Sequence, residues 1–351
     1  MTHAINHAQA IALIANVGHD VTFLLRGQPG VGKSAILHSL SKLMPDYHLA
    51  YIDTVQCDLG DVSMPVVDRE QMVTRYAPNA RFGISPNQHK PVLLMLDELT
   101  KASKPVLNML LPVILERRLG DVPLPAGSIV FATGNLDTDG VADNLPAHAA
   151  NRMTTLDFRN PTSDEWVAWG TDNDIAPEVL AFAKQFPQVF DRYDEVTDNN
   201  PYIFNPLKGQ VRSFCSPRSL AKASHLIKAR AVLGDALLPA LIGTVGESAA
   251  RDLEAMTLLA DQVPSFAAVT SNPEAARLPQ GVGAYFLMAF LLAGRCSADT
   301  MAAVMTYVNR WESFEAKALF LSTVASNPNR VAFAVRNRAF TTACSEIGRF
   351  F

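Results

Sequence analysis

Apolar residues recur at helical spacing over residues 5–17, and a short, mainly apolar run at 21–25 leads into a glycine-rich segment. This pattern predicts a helix followed by a buried strand. The same strand signature returns at 49–55, 92–96, 129–132 and 153–158. Five such runs separated by helical stretches predict an α/β layer around a mainly parallel sheet. Beyond Pro161 the pattern changes. Segments rich in Ala and Leu at 217–233, 247–261, 281–296 and 314–326 predict a helical second half, with a boundary near 160–165. Two stretches rich in Pro and polar residues, 191–214 and 263–279, read as loops within it.

Composition narrows the class. With 48% hydrophobic and 18% charged residues, the chain is neither disordered nor collagen-like. Thirty basic against 34 acidic residues leave a net charge of -4, which argues against a surface built to coat nucleic acid. The four cysteines, Cys57, Cys215, Cys296 and Cys344, form no CxxC pair, so neither a zinc framework nor a disulfide scaffold is indicated and buried free thiols are expected. The N-terminal residues lack a signal-peptide pattern, and the most apolar stretch, 282–293, is shorter than the ~20 residues a bilayer requires. The expectation is a soluble, cytoplasmic protein with no membrane partner. His3 and His7, spaced to share a helix face, lack an acidic third ligand. Trp166 and Trp169 are expected to pack the helical half onto the α/β half, and Arg330, Arg336, Arg338 and Arg349 to form a solvated face.

The strongest chemical signal is Gly27-Gln28-Pro29-Gly30-Val31-Gly32-Lys33-Ser34, which matches G-x-x-x-x-G-K-[ST] in full between the strand at 21–25 and a helix at 35–43. Glycines let the backbone wrap a polyphosphate with its N–H groups inward, and the following helix adds its dipole. Lys33 is expected to reach the β- and γ-phosphates of ATP, and the Ser34 hydroxyl to ligate Mg²⁺. The run Val92-Leu93-Leu94-Met95-Leu96-Asp97-Glu98 supplies the carboxylates such a loop needs. Asp97 would hold Mg²⁺ and Glu98 would polarise the attacking water. A third apolar run, Ile129 to Ala132, continues as Thr133-Gly134-Asn135. If it lies between the first and third strands, Asn135 falls beside the γ-phosphate and can orient the lytic water.

In this order the three elements resemble an AAA+ ATPase, whose large domain is a five-stranded parallel sheet of order 5-1-4-3-2. Two stretches resemble the MoxR-type branch, the group that includes the CbbQ, NorQ, GvpN and CobS proteins. Asp58-Leu59-Gly60-Asp61-Val62-Ser63-Met64-Pro65 with Thr74-Arg75-Tyr76-Ala77-Pro78 resembles that branch's insertion in the second helix, usually a β-hairpin near the ring pore. Leu115-Glu116-Arg117-Arg118-Leu119-Gly120 leading to Leu124-Pro125-Ala126-Gly127 resembles its hairpin before the sensor strand. The chain departs from the branch in reading Ala-Thr-Gly-Asn-Leu for the commoner Ala-Thr-Gln-Asn-Pro, and Leu-Thr-Lys after Asp97-Glu98 for Ile-Asn-Arg.

The resemblance implies roles for two arginines. Arg152, in a segment like the helix before the last strand, would reach a neighbouring subunit's ATP, with Arg117 or Arg118 as alternatives. Arg218, in Cys215-Ser216-Pro217-Arg218-Ser219, resembles the Ser-Pro-Arg sensor of the lid. Ser216 is a plausible N-cap there, with Pro217 at the first helical position. The organisation implied is an AAA+ α/β domain at 1–162, a helical lid at 163–265 and a helical C-terminal extension at 266–351. The partners implied are further copies in a hexameric ring and a protein client, often a von Willebrand factor A domain protein. Three other functions stay open at this stage: a DNA-associated motor or loader, a small-molecule P-loop kinase, and a nucleotide-gated scaffold with little turnover.

Overall fold

The computed structural model describes residues 3–135, 145–193, 200–204 and 213–348. The chain divides into two compact units, Met1–Asn160 and Pro161–Phe351. Among the described residues the first unit has strands β1 (Phe23–Arg26), β2 (His48–Asp53), β3 (Ser63–Asp68), β4 (Val73–Pro78), β5 (Val92–Asp97), β6 (Arg118–Leu119), β7 (Val122–Pro123), β8 (Ile129–Gly134) and β9 (Thr154–Asp157). Its α-helices are α1 (His7–Val17), α2 (Ala35–Leu43), α3 (Leu59–Val62), α4 (Lys104–Glu116) and α5 (Ala147–Ala150).

Five strands form one sheet in the order β2-β5-β8-β1-β9, and every neighbouring pair is parallel. Counting only these five, this is the expected 5-1-4-3-2 order, with β8 between β1 and β5. Period-two alternation splits their side chains between two covered faces. Leu94, Leu96, Val130 and Ala132 pack with Val106, Leu107 and Leu110 of α4 on one face. Leu93, Met95, Ile129 and Phe131 pack with Ile14 of α1 and Ile36 and Leu40 of α2 on the other. Burial on both faces is the reason the central strands read as unbroken apolar runs. At the edge, β2 keeps Ala50 and Ile52 inside while Leu49 and Tyr51 are about half exposed.

Local capping moves some boundaries from their expected places. Helix α1 begins only at His7, because Asn6 and Gln9 form a reciprocal capping box; His3 therefore lies ahead of the helix and shares no face with His7. Strand β2 stops at Asp53, whose carboxylate accepts the Val55 N–H at 3.2 Å and turns the chain into a short 3₁₀ segment. Hairpins account for both stretches singled out by resemblance. β3 and β4 pair antiparallel from Ser63↔Pro78 to Asp68↔Val73, and β6 pairs with β7. The two hairpins are tied together, since the Tyr76 N–H donates to Asp121 Oδ2 at 2.7 Å and the Asp121 N–H to the Tyr76 carbonyl at 3.1 Å.

The second unit is helical among its described residues, with one hydrophobic cluster around Phe182, Leu220, Leu253 and Leu287 and another around Met288, Tyr307, Trp311 and Phe320. Trp166 belongs to the first cluster, its ring 6.1 Å from that of Trp169 and 5.7 Å from that of Phe190, so it packs within the helical unit's own core. The segment at 263–279 is not wholly a loop: Ser265 accepts the Ala268 N–H and caps a helix, Phe266–Ser271. The helix expected at 217–233 breaks at Ala229 into Pro217–Lys228 and Arg230–Leu233. Arg330 is not on a solvated face, since it donates to the Thr171 carbonyl at 3.3 Å and is partly buried. Part of the 191–214 stretch, and Arg349, lie outside the described residues. Of the four cysteines, all free, Cys215 alone is fully buried. No helix among the described residues is long and apolar enough to cross a membrane.

Arg117 ends α4 in the left-handed conformation, with φ of 53°, and turns its guanidinium inward. It donates to Thr22 Oγ1 at 2.6 Å, to the Gly18 carbonyl at 3.1 Å and to the Ile114 carbonyl at 3.2 Å. Burial lowers its pKa, against an opposing pull from Asp20. Arg117→Met should lower stability by about 2 kcal/mol by removing these charge-assisted bonds, although the Thr22 hydroxyl still donates to the Ile114 carbonyl at 2.8 Å. Denaturant unfolding checks this, and an unchanged midpoint would contradict it.

Candidate functional site

The strand order sets the C-terminal ends of β1, β5 and β8 side by side, the crevice where open α/β sheets bind ligands. The loop after β1 is Gly27–Ser34. Gly30 and Gly32 take φ of 80° and 104°. A Cβ on Gly32 would meet no atom within 4 Å, so backbone conformation rather than space demands glycine there. Helix α2 follows directly and directs its N-terminal dipole at the loop.

Lys33 is 6% exposed and crosses the loop it belongs to. Its Nζ donates to the Gly27 carbonyl, to the Gln28 carbonyl at 3.1 Å and to Asn135 Oδ1 at 3.3 Å. The Ser34 hydroxyl donates to Asp97 Oδ2 at 3.3 Å. Asn135 Nδ2 faces Glu98 Oε2 at 3.5 Å. Two bonded groups, Lys33–Asn135–Glu98 and Ser34–Asp97, thus lie side by side at the ends of three strands, joined through the neighbouring residues Asp97 and Glu98. Glu98 has φ of 56°, a left-handed conformation that costs a non-glycine residue about 1 kcal/mol or more, and such backbone strain clusters at functional sites. Its carboxylate also pairs with Lys101 Nζ at 2.5 Å. The hydroxyl and carboxylate of Ser34 and Asp97 are hard oxygen donors in mutual reach beside a phosphate-type loop. This donor set fits Mg²⁺, which takes one or two protein oxygens and completes its shell with phosphates and water.

Arg152 lies in the first unit, in the turn that follows α5, and its partly buried side chain has no hydrogen bond or ion pair among the described residues. Arg218 belongs to the second unit, at the second position of helix Pro217–Lys228. Ser216 caps that helix by accepting the Ser219 N–H at 3.1 Å, with Pro217 at the first position, and Arg218 is exposed. Arg118 pairs with Glu116 at 2.6 Å.

Four contributors escaped sequence reasoning. Thr133 Oγ1 donates to Asp97 Oδ1 and accepts the Glu98 N–H at 3.1 Å. Tyr51 donates its hydroxyl to Asp97 Oδ2 at 2.7 Å, Thr54 donates to the Asp97 carbonyl at 2.9 Å, and Lys101 holds Glu98. Thr133 was detectable as the same-face neighbour of Asn135 at period two. Tyr51 and Thr54 depend on the register of β2 against β5, which no local pattern encodes. The two departures from the MoxR-type pattern also meet here. A Cβ on Gly134 would sit 2.5 Å from Thr100 Cγ2, so the glycine in Ala-Thr-Gly-Asn leaves room for the threonine in Leu-Thr-Lys.

Residues 22–125 match the family described as AAA domain, dynein-related subfamily. No curated protein matches the sequence. Among solved structures the chain is similar to RuvB, the Holliday junction branch migration motor of Thermotoga maritima, at 14% identity over 71% of this chain and 68% of that one, with a TM-score of 0.37. It is also similar to NtrX from Brucella abortus in complex with ADP, at 12% identity over 73% of this chain and 66% of that one, with a TM-score of 0.36.

Proposed function

We propose that the AAA+ ATPase domain carried by residues 22–125 hydrolyses ATP with Mg²⁺ in a ring of several copies of the chain, hexameric in the MoxR-type manner, and spends the free energy on remodelling a protein client. The observation that supports this reading is the linked set of Lys33, Ser34, Asp97, Glu98 and Asn135 at the ends of three adjacent strands.

In this reading the backbone N–H groups of Gly27–Ser34 and the Lys33 ammonium bind the β- and γ-phosphates, with Lys33 exchanging its carbonyl partners for phosphate oxygens. Ser34 and Asp97 hold Mg²⁺, whose charge offsets that of the β- and γ-oxygens. Glu98 accepts a proton from the attacking water, which Asn135 orients. Arg152, whose side chain makes no hydrogen bond or ion pair among the described residues, reaches the ATP of an adjacent copy. Arg117 has no such freedom, because its guanidinium is spent on Thr22, Gly18 and Ile114. Arg218, exposed in the first turn of its helix, is the residue to which the resemblance gives the part of a lid sensor. The client would meet the β3–β4 hairpin, which exposes Met64, Val66, Val67, Met72, Val73 and Tyr76, an apolar surface of the kind that marks protein contact. A von Willebrand factor A domain protein is the client class that the MoxR-type resemblance suggests.

Nucleotide affinity tests the phosphate assignment. Charge-assisted hydrogen bonds contribute about 1.5–3 kcal/mol, roughly 10- to 150-fold in affinity. Lys33→Ala should weaken binding of a fluorescent ATP analogue by that factor and remove phosphate release. Wild-type binding and turnover by this variant would overturn the reading.

A further inference from the structure

We propose that Tyr51 is a positioning residue for the cation site made by Ser34 and Asp97, fixing the Asp97 carboxylate from the edge strand of the sheet. The inference rests on the Mg²⁺·ATP reading above.

Strands β2 and β5 run in register, with Tyr51 opposite Met95 and Asp53 opposite Asp97. From that place the Tyr51 phenol reaches along the strand and donates to Asp97 Oδ2 at 2.7 Å. Asp97 is 9% exposed, and each carboxylate oxygen is held from a different side. Thr133 of β8 donates to Oδ1, while Tyr51 of β2 donates to Oδ2. The longest contact to the carboxylate is that of Ser34, at 3.3 Å. Ser34 is also the group expected to turn its hydroxyl oxygen toward a cation. The bonds from Tyr51 and Thr133 do not involve Ser34. Both can persist while Ser34 and Asp97 face a metal, and together they fix the plane of the carboxylate. Thr54 pins the backbone of the same residue through its carbonyl.

A carboxylate restrained at both oxygens loses little rotational freedom when it ligates a metal, and removing such an outer partner typically costs 10- to 100-fold in metal affinity. Tyr51 is about half exposed, so Tyr51→Phe deletes one hydroxyl without opening the core.

The test uses the full chain and a fluorescent ATP analogue, titrated with MgCl₂ after treatment with EDTA. Tyr51→Phe should raise the Mg²⁺ concentration at half-maximal response roughly 10-fold. Its analogue affinity in EDTA should stay at the wild-type value. An unchanged Mg²⁺ midpoint would overturn the positioning role. So would an equal loss of affinity in EDTA, because the tyrosine would then act on the fold or the phosphate loop and not on the cation. The wild-type titration separates the two levels: if it shows analogue binding with no response to Mg²⁺, the Mg²⁺·ATP reading fails first and the Tyr51 inference falls with it.

Discussion

Glu98→Gln is expected to slow ATP hydrolysis by about 10²- to 10⁴-fold, the range that a positioned general base contributes, while leaving nucleotide affinity near wild type. The substitution keeps the shape of the side chain and a carbonyl oxygen for Asn135 Nδ2 to approach, but it removes the carboxylate proposed to take the proton from water. It also removes the ion pair with Lys101. Steady-state phosphate release, paired with binding of a fluorescent ATP analogue, measures both quantities. Turnover within threefold of wild type would take Glu98 out of the base role.

The second large effect concerns Arg152. An arginine supplied by an adjacent copy stabilises charge developing on the γ-phosphoryl group and contributes about 10³- to 10⁵-fold to turnover. Arg152→Ala should therefore lose most hydrolysis yet bind nucleotide normally, since its own chain's phosphate loop is intact. Mixing supplies a sharper readout. In assemblies of Arg152→Ala with Glu98→Gln, some junctions pair an intact Glu98 with an intact Arg152, and activity should return in part. Turnover by Arg152→Ala alone at the wild-type rate, or no recovery on mixing, would remove the trans assignment.

Much of the site was legible because its chemistry sits at strand ends. Three apolar runs buried on both faces announce three central strands, and each run ends in the polar residues that the crevice needs: Gly27–Ser34, Asp97-Glu98 and Asn135. Strand order was not written in those runs. It came from resemblance, and the parallel pairing of β8 with both β1 and β5 bears it out. What stayed hidden depends on lateral register or on side-chain reach. Tyr51 looks like an ordinary alternating position of an edge strand until β2 is set against β5. Arg117 and Arg118 are indistinguishable as neighbouring basic residues, yet a left-handed turn at the end of α4 sends one guanidinium to Thr22 and leaves the other paired with Glu116 near the surface. Gly134 read as a departure from pattern, and only its approach to Thr100 explains it. In the helical half, caps at Ser265 and the break at Ala229 set boundaries that Ala- and Leu-rich texture blurs.

The assembly-dependent ATPase is tested most directly by phosphate release per chain as a function of protein concentration, with the mass in solution recorded at each point with and without ATP. A split site, in which Lys33, Asp97 and Glu98 act on a nucleotide that Arg152 of another copy completes, predicts a rate per chain that climbs with concentration. The climb should follow the appearance of an ATP-dependent oligomer. A rate per chain that stays constant while the protein remains monomeric would contradict the account.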